Sequence, residues 1–148
     1  MNVIVVGVDH SPGARAALVF AEEEARLRGS TLRAVHAWQY GYIGYTGLEG
    51  SMPVLGGDIR ELHAAAEAAL DASVREALPD SKVEIEQRAV QGLAAGVLVD
   101  ESRDADLLVV GSRGHGGFAQ LLLGSVSQQC AHHAECPVVI VRAKREEK

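Results

Sequence analysis

The residues of this 148-residue chain most able to do chemistry lie in Gly111-Ser112-Arg113-Gly114-His115-Gly116-Gly117, which continues through Phe118 and Leu123 to Gly124-Ser125. Glycines after a strand let the main chain approach a ligand closely, and free amide groups at a following helix start favour an anion, so the segment reads as a phosphate cradle. Ser125 and Ser127 add hydroxyl donors, and Arg113 adds charge. A loop that is glycine-rich only to turn is the plainer alternative. The P-loop pattern is absent, because no Lys lies between Arg113 and Ser127. Gly114-x-Gly116-x-x-Ala119 matches the dinucleotide fingerprint loosely, but Glu135, the acidic residue that should end the next strand, precedes it instead.

The second half of a site is Asp9, which ends the run Val3-Ile4-Val5-Val6-Gly7-Val8. A carboxylate there accepts hydrogen bonds from ribose hydroxyls or an adenine amino group, or it caps a helix beginning near Ser11; both roles can coexist. Cys130, His132, His133 and Cys136 have the types of zinc ligands, yet their spacing allows at most three ligands without strain. No metal is expected there, Cys130 reads as buried, and the histidines suit the negative end of a helix. Ser125 is not in a Gly-x-Ser-x-Gly elbow, and no nucleophile has a base at a telling position. Asp9, His36 and His115 can meet near a phosphate, which leaves slow hydrolysis open, but machinery for efficient catalysis is not visible and no enzyme is expected.

These groups need elements to hold them. The opening β-branched run reads as a strand covered on both faces. Ser11-Pro12 starts a helix that Gly29 closes, and residues 31–38 form a second strand. Residues 39–57 are rich in Gly and Tyr without period and read as an exposed loop, its Tyr40, Tyr42 and Tyr45 available as a cover or a partner contact. Asp58 and Glu61 give a capping box for a helix over residues 59–78. A third strand is expected over 83–90, a helix over 93–103, a fourth strand over 107–110, and a helix over 125–133. The fifth strand is Pro137-Val138-Val139-Ile140-Val141. Strict alternation of strand and helix argues for an α/β fold, a three-layer α/β/α sandwich on a five-stranded parallel sheet. With the first strand central and order 3-2-1-4-5, winding reverses between strands one and four, and that crevice brings Asp9 beside Gly111.

Composition sets the outer bounds. A single domain over residues 1–148 is the expectation for this length. Six aromatic residues are few, so Ala, Val, Leu and Ile must fill the core through close packing of helices on the sheet. Fourteen Lys and Arg against twenty Asp and Glu give a formal charge of −6, which argues against nucleic acid as a partner. No apolar run is long enough for a membrane span and no signal peptide is evident, so a cytoplasmic protein with Cys130 and Cys136 as thiols is expected. The last strand carries no internal charge, and pairing with its copy in a second chain is expected.

Gly111, Gly114 after two residues, and Gly124-Ser125 after nine more, with Val-Gly-Val-Asp9 at one strand end and Val35-His36-Ala37-Trp38 at the next, resemble the universal stress protein family. The likeness runs from Val3 to Arg142, with Gln120 and Glu135 where Gly and Pro are expected. It implies a flavodoxin-like, adenine-nucleotide hydrolase-like fold and membership of the subgroup that binds ATP, with or without Mg2+. By that likeness adenine lies near Asp9 and the backbone of Ala37 and Val110, and the ribose contacts Asp9 and Gly111. The phosphates contact Gly114, Gly124, Ser125, Val126 and Ser127, with Arg113 beside them, and Gly7 and Val8 complete the nucleotide-binding set. It also implies homodimers through the last strand and a regulatory role in stress adaptation. AMP or cyclic AMP in the same crevice, and a partner-binding module without nucleotide, are the alternatives.

Overall fold

The computed structural model describes residues 2–39, 58–112 and 123–143. In chain order the elements are β1 (Val3–Gly7), α1 (Pro12–Arg28), β2 (Thr31–Trp38), α2 (Ile59–Ala77), β3 (Ile85–Gln91), α3 (Ala94–Glu101), β4 (Leu107–Gly111), α4 (Ser125–His133) and β5 (Val138–Val141). The five strands form one parallel sheet in the order β3-β2-β1-β4-β5, as the alternation of elements requires. Val6 of β1 stands level with Ala34 of β2 and Val109 of β4; from there β1 runs one residue further, β4 two and β2 four.

Side-chain alternation along the strands sorts the core into two layers. Ile4, Val6 and Val8 pack with Leu18, Ala21, Leu70 and Val74 of α1 and α2. Val3 and Val5 pack with Val97 and Leu98 of α3 and Cys130 of α4. The inner face of α1 is Ala14, Ala17, Ala21 and Ala25, all buried, and these short side chains let the helix lie close on the sheet. With α1 and α2 on one face and α3 and α4 on the other, winding reverses between β1 and β4, which leaves a crevice at their carboxyl ends.

Local chemistry explains where elements stop. Ser11 accepts the Ala14 amide hydrogen as the cap of α1, and Gly29 ends that helix at φ 66°. Asp58 caps α2 by accepting from the Arg60 amide. β3 begins at Ile85 rather than at residue 83, because the Val83 amide donates to the Ser81 hydroxyl oxygen and Ser81 in turn donates to Glu22. The helix expected over 93–103 is α3 followed by a 3-10 turn at Ser102–Asp104, where the Ser102 hydroxyl donates to the Val99 carbonyl and accepts from the Glu135 amide. Pro137 has no amide hydrogen; its carbonyl accepts from Leu108 and the β5 ladder starts at Val138.

An ion-pair network ties α3 to the β2 and β3 surface. Glu101, only 9% exposed, accepts from Arg33 at 3.1 Å and Arg88 at 3.2 Å, while Arg33 also reaches Glu86 and Asp104. Among the described residues no helix is long and apolar enough to cross a membrane.

Candidate functional site

Two helix starts converge on the crevice, and they differ in how their first amides are satisfied. At the end of β1, the Asp9 carboxylate accepts from both the Ser11 amide and the Ser11 hydroxyl, and Ser11 in turn caps α1. Asp9 therefore braces the cap that the sequence left open as its alternative role. The helix start of α1 is thus occupied by side-chain oxygen.

At α4 the arrangement is different. Gly124 is the N-cap, no side chain caps the helix, and the first turn of the ladder closes with Gln128 donating to the Gly124 carbonyl at 3.0 Å. The amides of Ser125, Val126 and Ser127 precede that bond, and they carry the positive end of the helix dipole. The Gly124 amide donates to the Ser112 carbonyl at 2.6 Å, and Ser112 donates to the Val141 carbonyl at 2.8 Å. The chain after β4 therefore returns to β4, and the open start of α4 stands at the carboxyl end of that strand.

The glycines at the strand ends allow close approach. A β-carbon on Gly111 would lie 3.0 Å from the carbonyl carbon and oxygen of Gly13, so only glycine lets the first turn of α1 sit against the end of β4. At Gly7 the added carbon would lie 2.8 Å from Leu98 of α3. Val8 donates to the Val35 carbonyl at 2.8 Å, the last bond between β1 and β2. The alternation of the parallel ladder turns the Ala37 main chain toward the β1 side, one step beyond that bond. Val110 is buried, its side chain in the α3/α4 layer.

Gly7, Val8, Asp9, Ala37, Val110, Gly111, Gly124, Ser125, Val126 and Ser127 thus belong to the carboxyl edge of β1, β2 and β4 and the start of α4. Arg113 and Gly114 lie outside the described residues, as do His115, Gln120 and the loop with Tyr40, Tyr42 and Tyr45. One expected contribution changes. The Ser127 side chain is buried, and its hydroxyl lies 2.9 Å from the Ser112 carbonyl and 3.0 Å from the Gly124 carbonyl. It fastens the start of α4 to β4 instead of offering a hydroxyl to the crevice; its amide keeps the helix-start position.

Two residues at the edge were not singled out from sequence. Ser112 pins both ends of the glycine segment, and its only sequence signal is its place directly after Gly111. His10 has a left-handed backbone at φ 67°, its Nδ1 is 2.7 Å from the Ser73 hydroxyl, and its ring is centred 4.5 Å from that of His36. His36 in turn places Nδ1 2.8 Å from the Val8 carbonyl, so it is engaged with the strand end.

Cys130 is fully buried, and burial first, then the neighbouring Cys136, pushes its thiol up to about 11. Burial also pushes the Cys136 thiol up. Both are poor nucleophiles at neutral pH. Among the described residues no group of three His, Cys, Asp or Glu side chains is arranged to hold a metal ion.

Comparison with known proteins identifies this architecture. The model of the universal stress protein family matches residues 1–142. A universal stress protein of Mycolicibacterium smegmatis is 36% identical over 144 residues, covering 95% of this chain and 46% of the relative. The chain spans about half the length of the curated relatives it matches. Among solved structures, a universal stress protein in complex with cAMP is 26% identical at a TM-score of 0.66, covering 97% of this chain and 98% of that one. The universal stress protein from Archaeoglobus fulgidus in complex with dAMP is 26% identical at a TM-score of 0.62, covering 95% and 97%. Strand order, the crevice between β1 and β4 and the match along nearly the whole sequence agree: the chain belongs to the universal stress protein family.

Proposed function

We propose that the chain binds ATP in the crevice between β1 and β4 and works as a nucleotide-dependent regulator rather than an enzyme. The observation that carries this reading is the asymmetry of the two helix starts. The start of α1 is closed by Ser11 and Asp9, whereas that of α4 has no side-chain cap and opens where Gly124 is tied to the end of β4. An anion is therefore drawn to Ser125, Val126 and Ser127. Asp9 and the Ala37 main chain stand at the neighbouring strand ends, where a ribose and an adenine find acceptors and donors; the Val110 main chain is turned instead toward β5. Arg113 and Gly114 complete the phosphate contacts in this reading, with Mg2+ as the counterion of the triphosphate.

Calorimetric titration tests it: ATP binds the unaltered chain, and Gly124→Val, which puts a branched side chain at the helix start, abolishes that binding. Unchanged affinity in Gly124→Val overturns the placement. A second reading, binding of a monophosphate, is favoured by the neighbours whose structures contain cAMP and dAMP. Competition among ATP, AMP and cAMP separates the two, and mass spectrometry of small molecules released from freshly purified protein identifies the resident nucleotide.

We also propose a homodimer through β5. Of the two edge strands, β3 presents Glu86 and Arg88, while β5 is Val138–Val141 and carries no charge. Charged edges resist pairing and apolar ones invite it. The cytoplasm is the proposed location.

A further inference from the structure

A cavity of about 260 Å³ lies beneath the β1–α1 turn that also borders the crevice, between the first half of α1 and the second half of α2. Its floor is Val8, Ala14 and Leu18, its wall His10 with Ser73, and Arg15 and Glu76 stand across from each other as an ion pair at 3.5 Å. These last two side chains are 58% and 75% exposed, so they form the mouth. Asp9, Gly111 and the residues of α4 do not line it.

The wall is pre-organised. The left-handed backbone at His10, uncommon outside glycine, turns its ring onto His36, which is itself anchored to the Val8 carbonyl. His10 and Ser73 are paired with each other, and the hydroxyl of Ser11, which lines the cavity with Pro12, is engaged with Asp9 and the Ala14 amide, so the remaining lining that meets an occupant is carbon. The mouth offers one charge of each sign. An occupant with a single negative charge gains only the Arg15 contact, and one with a single positive charge gains only the Glu76 contact. A molecule carrying both signs pairs with each.

We propose that this cavity binds a small zwitterion of amino-acid size with an apolar side chain, the side chain resting on Val8 and Leu18, the carboxylate at Arg15 and the ammonium at Glu76. The volume lies just below the range typical of drug-sized pockets, which suits a ligand of this size. The inference does not depend on the nucleotide reading, because the two sites share only the β1–α1 turn.

The test uses the whole chain and L-phenylalanine as probe, with phenylacetate and phenethylamine as its two half-charged counterparts, by calorimetry or NMR titration. L-phenylalanine binds, and each counterpart binds at least about fivefold more weakly, because it makes one charge contact where the zwitterion makes two. Arg15→Ala and Glu76→Ala each weaken L-phenylalanine by about fivefold or more while thermal unfolding stays close to that of the unaltered chain, since exposed side chains contribute little to stability. Gly124→Val leaves L-phenylalanine binding unchanged, which separates this site from the nucleotide crevice. The proposal is overturned by no binding up to about 10 mM, by equal binding of the half-charged molecules, or by indifference to the two charge substitutions.

Discussion

Gly111→Ala is the most direct test of how the crevice is built. The new methyl carbon would sit 3.0 Å from the carbonyl carbon and oxygen of Gly13 and 3.3 Å from its Cα. Unstrained carbon contacts are about 3.5–4.0 Å, so the methyl intrudes by about half an ångström. What it meets is main chain with little room to recede. The first turn of α1 is held by the Ser11 bond to the Ala14 amide at 3.1 Å and by the Asp9 bond to the Ser11 amide at 3.0 Å. The end of β4 is held from its other side by the Ser112 bond to Val141 and the Gly124 bond to Ser112. Overpacking of this kind costs about 1–3 kcal/mol. Replacing glycine also lowers the entropy of the unfolded chain, which returns about 0.4–1 kcal/mol. The net loss is up to about 2.6 kcal/mol with a midpoint of about 1.3 kcal/mol, the latter about 3–5 °C in Tm for a domain of this size. Urea and thermal unfolding measure it. Gly96→Ala is the internal standard, because an added β-carbon there meets nothing within 4 Å inside α3, and it raises stability by about 0.5–1 kcal/mol. If Gly111→Ala gains as much stability as Gly96→Ala, the close contact between α1 and β4 is not the constraint described.

Three further perturbations probe other contacts. Ser11→Ala removes the cap of α1 and one anchor of Asp9, lowering stability by about 0.5–2 kcal/mol in urea unfolding. Glu101→Ala leaves the nearly buried Arg33 with only Glu86 and Asp104 and costs about 1–3 kcal/mol, whereas Arg88→Ala, from a half-exposed partner, costs less than about 1 kcal/mol; equal effects would contradict the burial argument. The Cys130 thiol, held up at about 11 in the folded state against 9.0 for an ordinary thiol, gives a pH dependence with a definite sign. Its contribution is fully present below about pH 9 and is lost as pH rises toward about 11, because the unfolded chain releases the proton first. The urea midpoint therefore falls across that interval, and Cys130→Ala makes the fall shallower.

Much of this was legible in the residues because it is local. The β-branched runs, the Ser11-Pro12 entry, the Gly29 exit and the Asp58 cap each act within a few residues, and β2 and α4 occupy the bounds that the sequence predicts. Alternation of strand and helix, with the topological rules for parallel sheets, was enough for the strand order and for bringing Asp9 and Gly111 to one crevice. Boundaries shifted where a side chain captured a main-chain group, as Ser81 does at Val83 and Ser102 does after α3.

What local pattern cannot encode is which partner each group finds across the fold. The amino-acid sequence by itself determined the elements, their order and the glycine and serine types at the crevice, since these follow from backbone preference and hydrophobic period. Only the tertiary structure decided that Asp9 braces Ser11, that the Ser127 hydroxyl is spent on β4, and that α4 rather than α1 keeps an open helix start. The contact of Gly111 with Gly13 and the cavity between α1 and α2 belong to the same class. Each depends on packing residues far apart in the chain to within a few tenths of an ångström, and at that scale the close-packed interior, not the propensity of any segment, selects the partner.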